Sequence, residues 1–350
     1  MHLVSLATAS PRIRYSQEDC YRIFEASNAR DRLSNRSATL MEKVLMRDNG
    51  IHRRGFCYPD VKTIFDAGPE QLNKVFEQEA PRLGTRALTK ALDRAKLDPA
   101  SLDGLIVCTC TGYLCPGLSS FIAQQAGLPE NAELTDLVGM GCGAAIPSLR
   151  TACHRLKANP SLRIAVVAVE ICSAAFYLDD DPGVIISACL FGDGAAASIW
   201  TGTSTDGPGW KAGGFRSLHL PEARQLLRFE NAGGALRNRL SKSVPQAAAD
   251  AVRKLFELSF AEGAVPDNLK ILPHPGGRDV LDALEKVFPS ASFKESRSVL
   301  AEHGNMSSPS ILFILDQYLR LGQKSQAAAL WVTSFGAGFS AYGFDLVYAQ

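Results

Sequence analysis

Charge of neither sign dominates this sequence. Its 37 basic and 36 acidic residues leave a net charge of +1, with no run of like charge, so composition gives no pull toward nucleic acid or an anionic membrane. Long uninterrupted apolar runs are also missing. Residues 105–129 and 325–344 carry no charge, but Gly, Pro, Ser, Thr and Gln break both, which argues against a spanning helix. The apolar start, residues 1–10, has no basic region before it and runs into Pro11-Arg12, which argues against a cleaved signal. The expectation is a cytoplasmic chain whose partners are small molecules or proteins.

No disulfide framework or metal motif is apparent. Nine cysteines, an odd number without regular spacing, fit reduced thiols. Cys108, Cys110 and Cys115 cluster, but no second Cys pair or spaced His pair completes a zinc set, so neither a metal nor a cofactor is expected. Histidine is scarce at six residues, which shortens the search for a catalytic base.

At 350 residues, with 46% hydrophobic and 21% charged, the chain is globular and long enough for two cores. The first 80 residues read as mostly helical, with Ser16 and Asp19 forming a capping box and helical periodicity over 37–47 and again over 82–95. Residues 105–110 and 163–170 are β-branched apolar runs typical of strands buried on both faces, separated by helical patterns over 117–127 and 143–158. The same grammar returns later: helix 247–260, strand 269–272, helices 278–287 and 308–321, strand 327–333. Phe191-Gly-Asp-Gly-Ala195 and Phe335-Gly-Ala-Gly-Phe339 open two similar stretches, each read as a hairpin. Two copies mean duplication: α/β halves at 1–205 and 206–350, meeting between residues 201 and 213, with a cleft at their shared axis.

Chemistry concentrates at three places. Cys142, in Gly139-Met-Gly-Cys-Gly143, sits where a strand turns into a helix, and a helix N-terminus lowers a thiol pKa. Alone it is better read as a buried core thiol, and its place beside His274 and Asn305 in motif order turns that reading toward catalysis. His274, in Pro273-His-Pro-Gly-Gly277, follows a strand at its carboxyl end, where α/β sites lie, and is the best candidate base. Asn305, in His303-Gly-Asn-Met-Ser-Ser308, occupies in the second half the place of Cys142 in the first, where its amide would reach a developing oxyanion or simply cap the helix. Pro147 falls in the first turns of the helix after Cys142 and threatens that helix start.

Gly141-Cys-Gly143, Leu190-Phe-Gly-Asp-Gly-Ala195, His274-Pro-Gly-Gly277 and Gly304-Asn-Met-Ser-Ser308 together resemble the type III polyketide synthases, the chalcone synthase-like enzymes, in order and at compatible spacing. The resemblance implies a thiolase fold of αβαβα layers, a homodimer, and a Cys-His-Asn site using an acyl-CoA starter and malonyl-CoA. Cys142 would carry the acyl chain, His274 and Asn305 would hold the enolate, and Phe191 would gate the site. By the same comparison Cys110, Cys172, Ala175, Asn238 and Ser307 line the pocket, and Cys115 stands at a dimer contact. Threonines and a gate phenylalanine of the plant enzymes are replaced there by Cys, Ala and Asn, which suggests an aliphatic starter and an alkylpyrone or alkylresorcinol product. Arg53 and Arg54, near Lys43 and Arg47, either bind the coenzyme A arm or form a solvated basic stretch. A ketoacyl-carrier-protein synthase III-like condensing enzyme and a catalytically silent thiolase-fold binding protein remain the alternatives.

Overall fold

The computed structural model describes residues 1–204, 208–261, 263, 265–320 and 329–349. Its thirteen strands are β1 (His2–Ala9), β2 (Arg14–Ser16), β3 (Arg53–Gly55), β4 (Gly104–Thr109), β5 (Glu133–Val138), β6 (Arg163–Glu170), β7 (Gly194–Thr201), β8 (Gly209–His219), β9 (Leu227–Ala232), β10 (Ala235–Leu240), β11 (Leu269–Pro273), β12 (Ala329–Gly336) and β13 (Ser340–Ala349). Nine of them join in the order β11-β12-β13-β8-β1-β7-β6-β4-β5.

That order is one pattern used twice. β1 runs antiparallel to β7, β7 antiparallel to β6, and β6 parallel to β4. β8, β13, β12 and β11 repeat those relations in the same sequence. A single pairing, His2 with Lys211, joins the two sets. Along β4, Leu105 and Val107 face one core while Ile106 and Cys108 face another, so the sheet separates apolar layers by strand alternation. Helices Ala145–Ala158 and Ser310–Arg320 fill the middle core between the sheets. Helix Pro69–Ala95 covers the first sheet outside and helices Val244–Ser259 and Arg278–Val287 cover the second. This is the five-layered thiolase arrangement expected from the sequence.

Several local readings change. The first residues do not lead into helix at once: β1 forms, and lies at the seam of the two sets. The helix placed at 82–95 begins at Pro69 and runs through Pro81, because Leu72, Val75 and Phe76 bury their side chains before the proline and hold that stretch helical. Only the second glycine-rich stretch is a hairpin, β12 to β13; after Phe191 the chain enters β7, whose partners are β6 and β1. Pro147 does no harm, since it is the third residue of its helix, where a missing N–H leaves nothing unbonded. The junction at 205/206, residue 321 of the expected helix and 327–328 of the expected strand lie outside the described residues.

Candidate active site

Backbone turns place Cys142, and close packing fixes them. Gly141 adopts φ +59°, a conformation that favours glycine, in the short turn Gly141–Gly143 before helix Ala145–Ala158. The end of β12 presses on this turn from the other half. A side-chain carbon added at Gly336 would lie 2.4 Å from the Met140 carbonyl oxygen and 3.2 Å from the Cys142 nitrogen, so only glycine fits. The residue before it, Phe335, sets its ring edge-on to His274 with centroids 5.3 Å apart. One strand end thus touches both the cysteine turn and the histidine.

Asn305 completes the group. Its side-chain nitrogen donates to the Gly276 carbonyl at 3.1 Å, its Oδ1 accepts from the Ser307 N–H at 2.8 Å, and its backbone forms a parallel bridge with Phe191. Asn305 and Ser307 both act on the Cys142 thiol, each favouring its ionised form. His274 is fully buried, and neither ring nitrogen has a hydrogen-bond partner among the described residues.

Electrostatics keep this group neutral at rest. Burial pushes the Cys142 thiol up to about 12, against the opposing hydrogen bonds of Ser307 and Asn305. Burial likewise lowers His274 to about 3. Desolvation thus works against the thiolate expected from the sequence, and burial of both groups favours a thiol and a neutral imidazole at rest.

Cys110, Cys172, Ala175, Phe191, Asn238 and Ser307 line one cavity, with about 20 Å³ of free space, room for about one water. Four further lining residues, Thr111, Phe176, Ser187 and Phe229, were not singled out from the sequence. Asn238 donates to Ser187 Oγ at 2.7 Å. Cys115 does not reach this cavity: it is exposed and lines an outer cleft of about 970 Å³, which meets the inner one at Cys110 and Phe229. Buried Glu170 ties the walls together, accepting from the Cys110 and Thr111 amides at 2.9 and 3.1 Å and from Ser308 Oγ at 2.6 Å.

The two arginines part company. Arg53 is exposed and paired with Glu302 at 2.6 Å. Arg54 is fully buried, donating to the Ala188 and Phe191 carbonyls, each at 2.7 Å, and to Gln17 Oε1 at 2.9 Å. Arg54 therefore faces the interior, not an open surface where coenzyme A could reach it: Nε and Nη1 are bound under the Phe191–Asn305 bridge, and Nη2 is buried without a partner among the described residues. Among the described residues no group of three or more His, Cys, Asp or Glu side chains could hold a metal ion. No described helix is long and apolar enough to cross a membrane.

Comparison with known proteins agrees across the length of the chain. Residues 4–210 match the model of the FAE1/type III polyketide synthase-like proteins, and residues 217–346 match the chalcone and stilbene synthase C-terminal domain. The 1,3,6,8-tetrahydroxynaphthalene synthase of Streptomyces coelicolor is 29% identical over 303 residues, covering 85% of this chain and 80% of that protein. The 3,5-dihydroxyphenylacetyl-CoA synthase of Streptomyces toyocaensis is 28% identical over 335 residues, covering 91% and 83%. PKS-I of the brown alga Ectocarpus siliculosus superposes with a TM-score of 0.90 at 21% identity, over 99% of this chain and 98% of that one, a likeness of fold.

Proposed function

Because the chain belongs to the type III polyketide synthase family, enzymes that condense CoA substrates with loss of carbon dioxide, we propose that Cys142, His274 and Asn305 carry out that chemistry here. One observation carries the reading: a buried imidazole whose two nitrogens have no partner among the described residues, on a turn that Asn305 binds at Gly276, with the strand end Phe335-Gly336 packed against both that imidazole and the turn of the buried Cys142 thiol. Polar atoms left unpaired in a dry pocket are costly, and a substrate that pairs with them recovers that cost.

The reaction follows from these groups. His274 takes the Cys142 proton as sulfur attacks the starter thioester; a sulfur–carbon bond forms and CoA leaves as thiol with the returned proton. Malonyl-CoA then loses carbon dioxide, and its enolate oxygen is held by His274 and the Asn305 amide, donors worth about 3–4 kcal/mol each in comparable sites. The enolate carbon attacks the Cys142 thioester; a carbon–carbon bond forms, the sulfur–carbon bond breaks, Cys142 leaves as thiolate and takes up a proton, and the chain, two carbons longer, is carried on the CoA of the former malonyl unit. Phe191 stands beside this path.

For the starter, the tight cavity favours a small acyl unit, which needs little wall movement. Compact hydroxylated aromatics also name the two relatives above. The fatty acyl starter, with an alkylpyrone or alkylresorcinol product, is favoured by the apolar walls of Cys110, Cys172 and Ala175 and needs Phe229 to move outward. Incubation with malonyl-CoA and acyl-CoA starters of graded length, products identified by mass, decides between them. We expect products with no carrier protein present; absolute dependence on a carrier would point to the single-extension condensing enzyme, and no product at all to a silent scaffold.

The two halves, 1–205 and 206–350, are proposed as the units of duplication. A homodimer is supported by β5, an edge strand with Leu134 and Val138 exposed, because an open apolar edge invites a partner. Sedimentation at micromolar concentration should give twice the chain mass; a single-chain species would remove the dimer. Nine free thiols fit a cytoplasmic setting.

A further inference from the structure

Among the described residues, β9 and β10 form a two-stranded sheet of their own, with no ladder to the nine-stranded sheet. Yet this hairpin carries Phe229 and Asn238 into the cavity. Its position is set by packing and side chains: the Asn238–Ser187 hydrogen bond, buried Leu227, and a group of charged pairs. Arg237 pairs with Asp179 at 2.9 Å and with Asp181 at 3.6 Å. Arg239 pairs with the same Asp181 and with Glu230 at 2.7 Å, while Arg228 meets Glu230 at 2.9 Å. Three guanidiniums and three carboxylates balance. All but Arg228 and Arg239 have side chains less than a third exposed, so water screens these pairs less than it screens surface ones.

The acidic partners belong to the connection that forms the facing wall. Asp179, Asp180 and Asp181 follow Cys172, Ala175 and Phe176 and precede the helix Pro182–Leu190, which presents Ser187 and leads into Phe191. Asp181 also accepts from the Gly183 N–H at 2.8 Å, capping that helix, and Asp180 accepts from the Ser34 N–H and Oγ at 2.9 and 2.8 Å. The helix start and β10 meet backbone to backbone: a carbon added at Gly183 would lie 2.8 Å from the Leu240 nitrogen.

We propose that the ion pairs of Arg237 and Arg239 with Asp179 and Asp181 are a latch that sets the distance between the two walls, and so which starters and how many extensions the cavity admits. Arg237 and Arg239 are positioning residues; they act through Phe229 and Asn238 on a substrate whose existence rests on the function proposed above. Drawing the hairpin in narrows the cavity, and loosening it makes room along the line of Phe229.

The test compares Arg237→Gln/Arg239→Gln with the wild type, with Phe229→Ala as the directly widened control, across the graded acyl-CoA panel. The latch predicts that the double variant raises kcat/KM for the longest starters relative to the shortest by about tenfold or more, as Phe229→Ala does. Exchange of the charges in Asp179→Arg/Arg237→Asp should return the profile toward wild type, which loss of stability alone would not do. A folded double variant with the wild-type profile overturns the latch, as does a swap that restores nothing. Hydrogen exchange of residues 227–240 reads the latch without turnover. Faster exchange in the double variant supports it, and unchanged exchange overturns it, even where the wild type makes no product and the functional reading has failed.

Discussion

His274→Ala is expected to lower acylation of Cys142 by an acyl-CoA at pH 7.5 by about two to four orders of magnitude, the usual worth of a positioned general base. The reason is the resting state of the site. With burial holding the Cys142 thiol near 12, thiolate at neutral pH is scarce unless the proton has somewhere to go. His274 supplies that place at the moment of attack, although burial also keeps it neutral beforehand. The sign of the pH response follows. In the variant the thiol ionises by itself only as pH rises toward 12, so labelling by iodoacetamide, followed at Cys142 by peptide mass, should climb steadily from pH 8 to 11. The wild type should react well below that range, because proton transfer to the imidazole replaces loss to solvent. Equal labelling rates for both proteins at pH 7.5 would show that His274 does not activate the thiol.

Arg54→Met should destabilise the fold by about 2–6 kcal/mol, because it strands two buried carbonyls at about 1–3 kcal/mol each. The guanidinium donates to two carbonyls and to Gln17 where no water reaches. It also lies under Gly304, where an added carbon would meet its side chain at 2.9 Å, and faces the Phe56 ring at 5.1 Å. Removing it strands the Phe191 carbonyl and loosens the isolated backbone bridge between Phe191 and Asn305. Urea unfolding reads the loss directly. Arg54→Lys, which keeps the charge but loses the fork, should fold with reduced kcat and a nearly unchanged KM for malonyl-CoA. A large rise in KM alone would return Arg54 to coenzyme A binding.

These two residues also mark where sequence was informative and where it was silent. Cys142, His274 and Asn305 announce themselves because each lies in a glycine- or proline-rich turn at the end of an apolar element, and local patterns suffice to read that. β4 and β6 were legible for a related reason: strands buried on both faces become continuous apolar runs. Edge strand β5 is legible only as an unbounded strand before Cys142, because its exposed residues, Glu133 among them, break the apolar pattern. Arg54 had no local sign, since an arginine in sequence looks the same whether water or protein surrounds it. Phe229 had a sign that was not taken up. Gly233 and Gly234, with φ +58° and +82°, form the two-residue turn that joins β9 to β10, and a Gly-Gly pair between short strands announces a hairpin. What no local pattern could give was where that hairpin lands, because its partners lie some sixty residues earlier at Asp179 and Asp181.

The single seam between the two sheet sets has a consequence in time. β1 belongs to the start of the chain, yet its ladder partner is β7, whose residues pair with it from Thr201 back to Ala195. Nearly two hundred residues must therefore be synthesised before β1 finds its place, and closing so long a loop is slow. The parallel trio β4, β5 and β6, linked by the helices Leu118–Ala126 and Ala145–Ala158, has shorter loops to close. Folding should begin there, with β1 arriving late to join halves that have already taken shape.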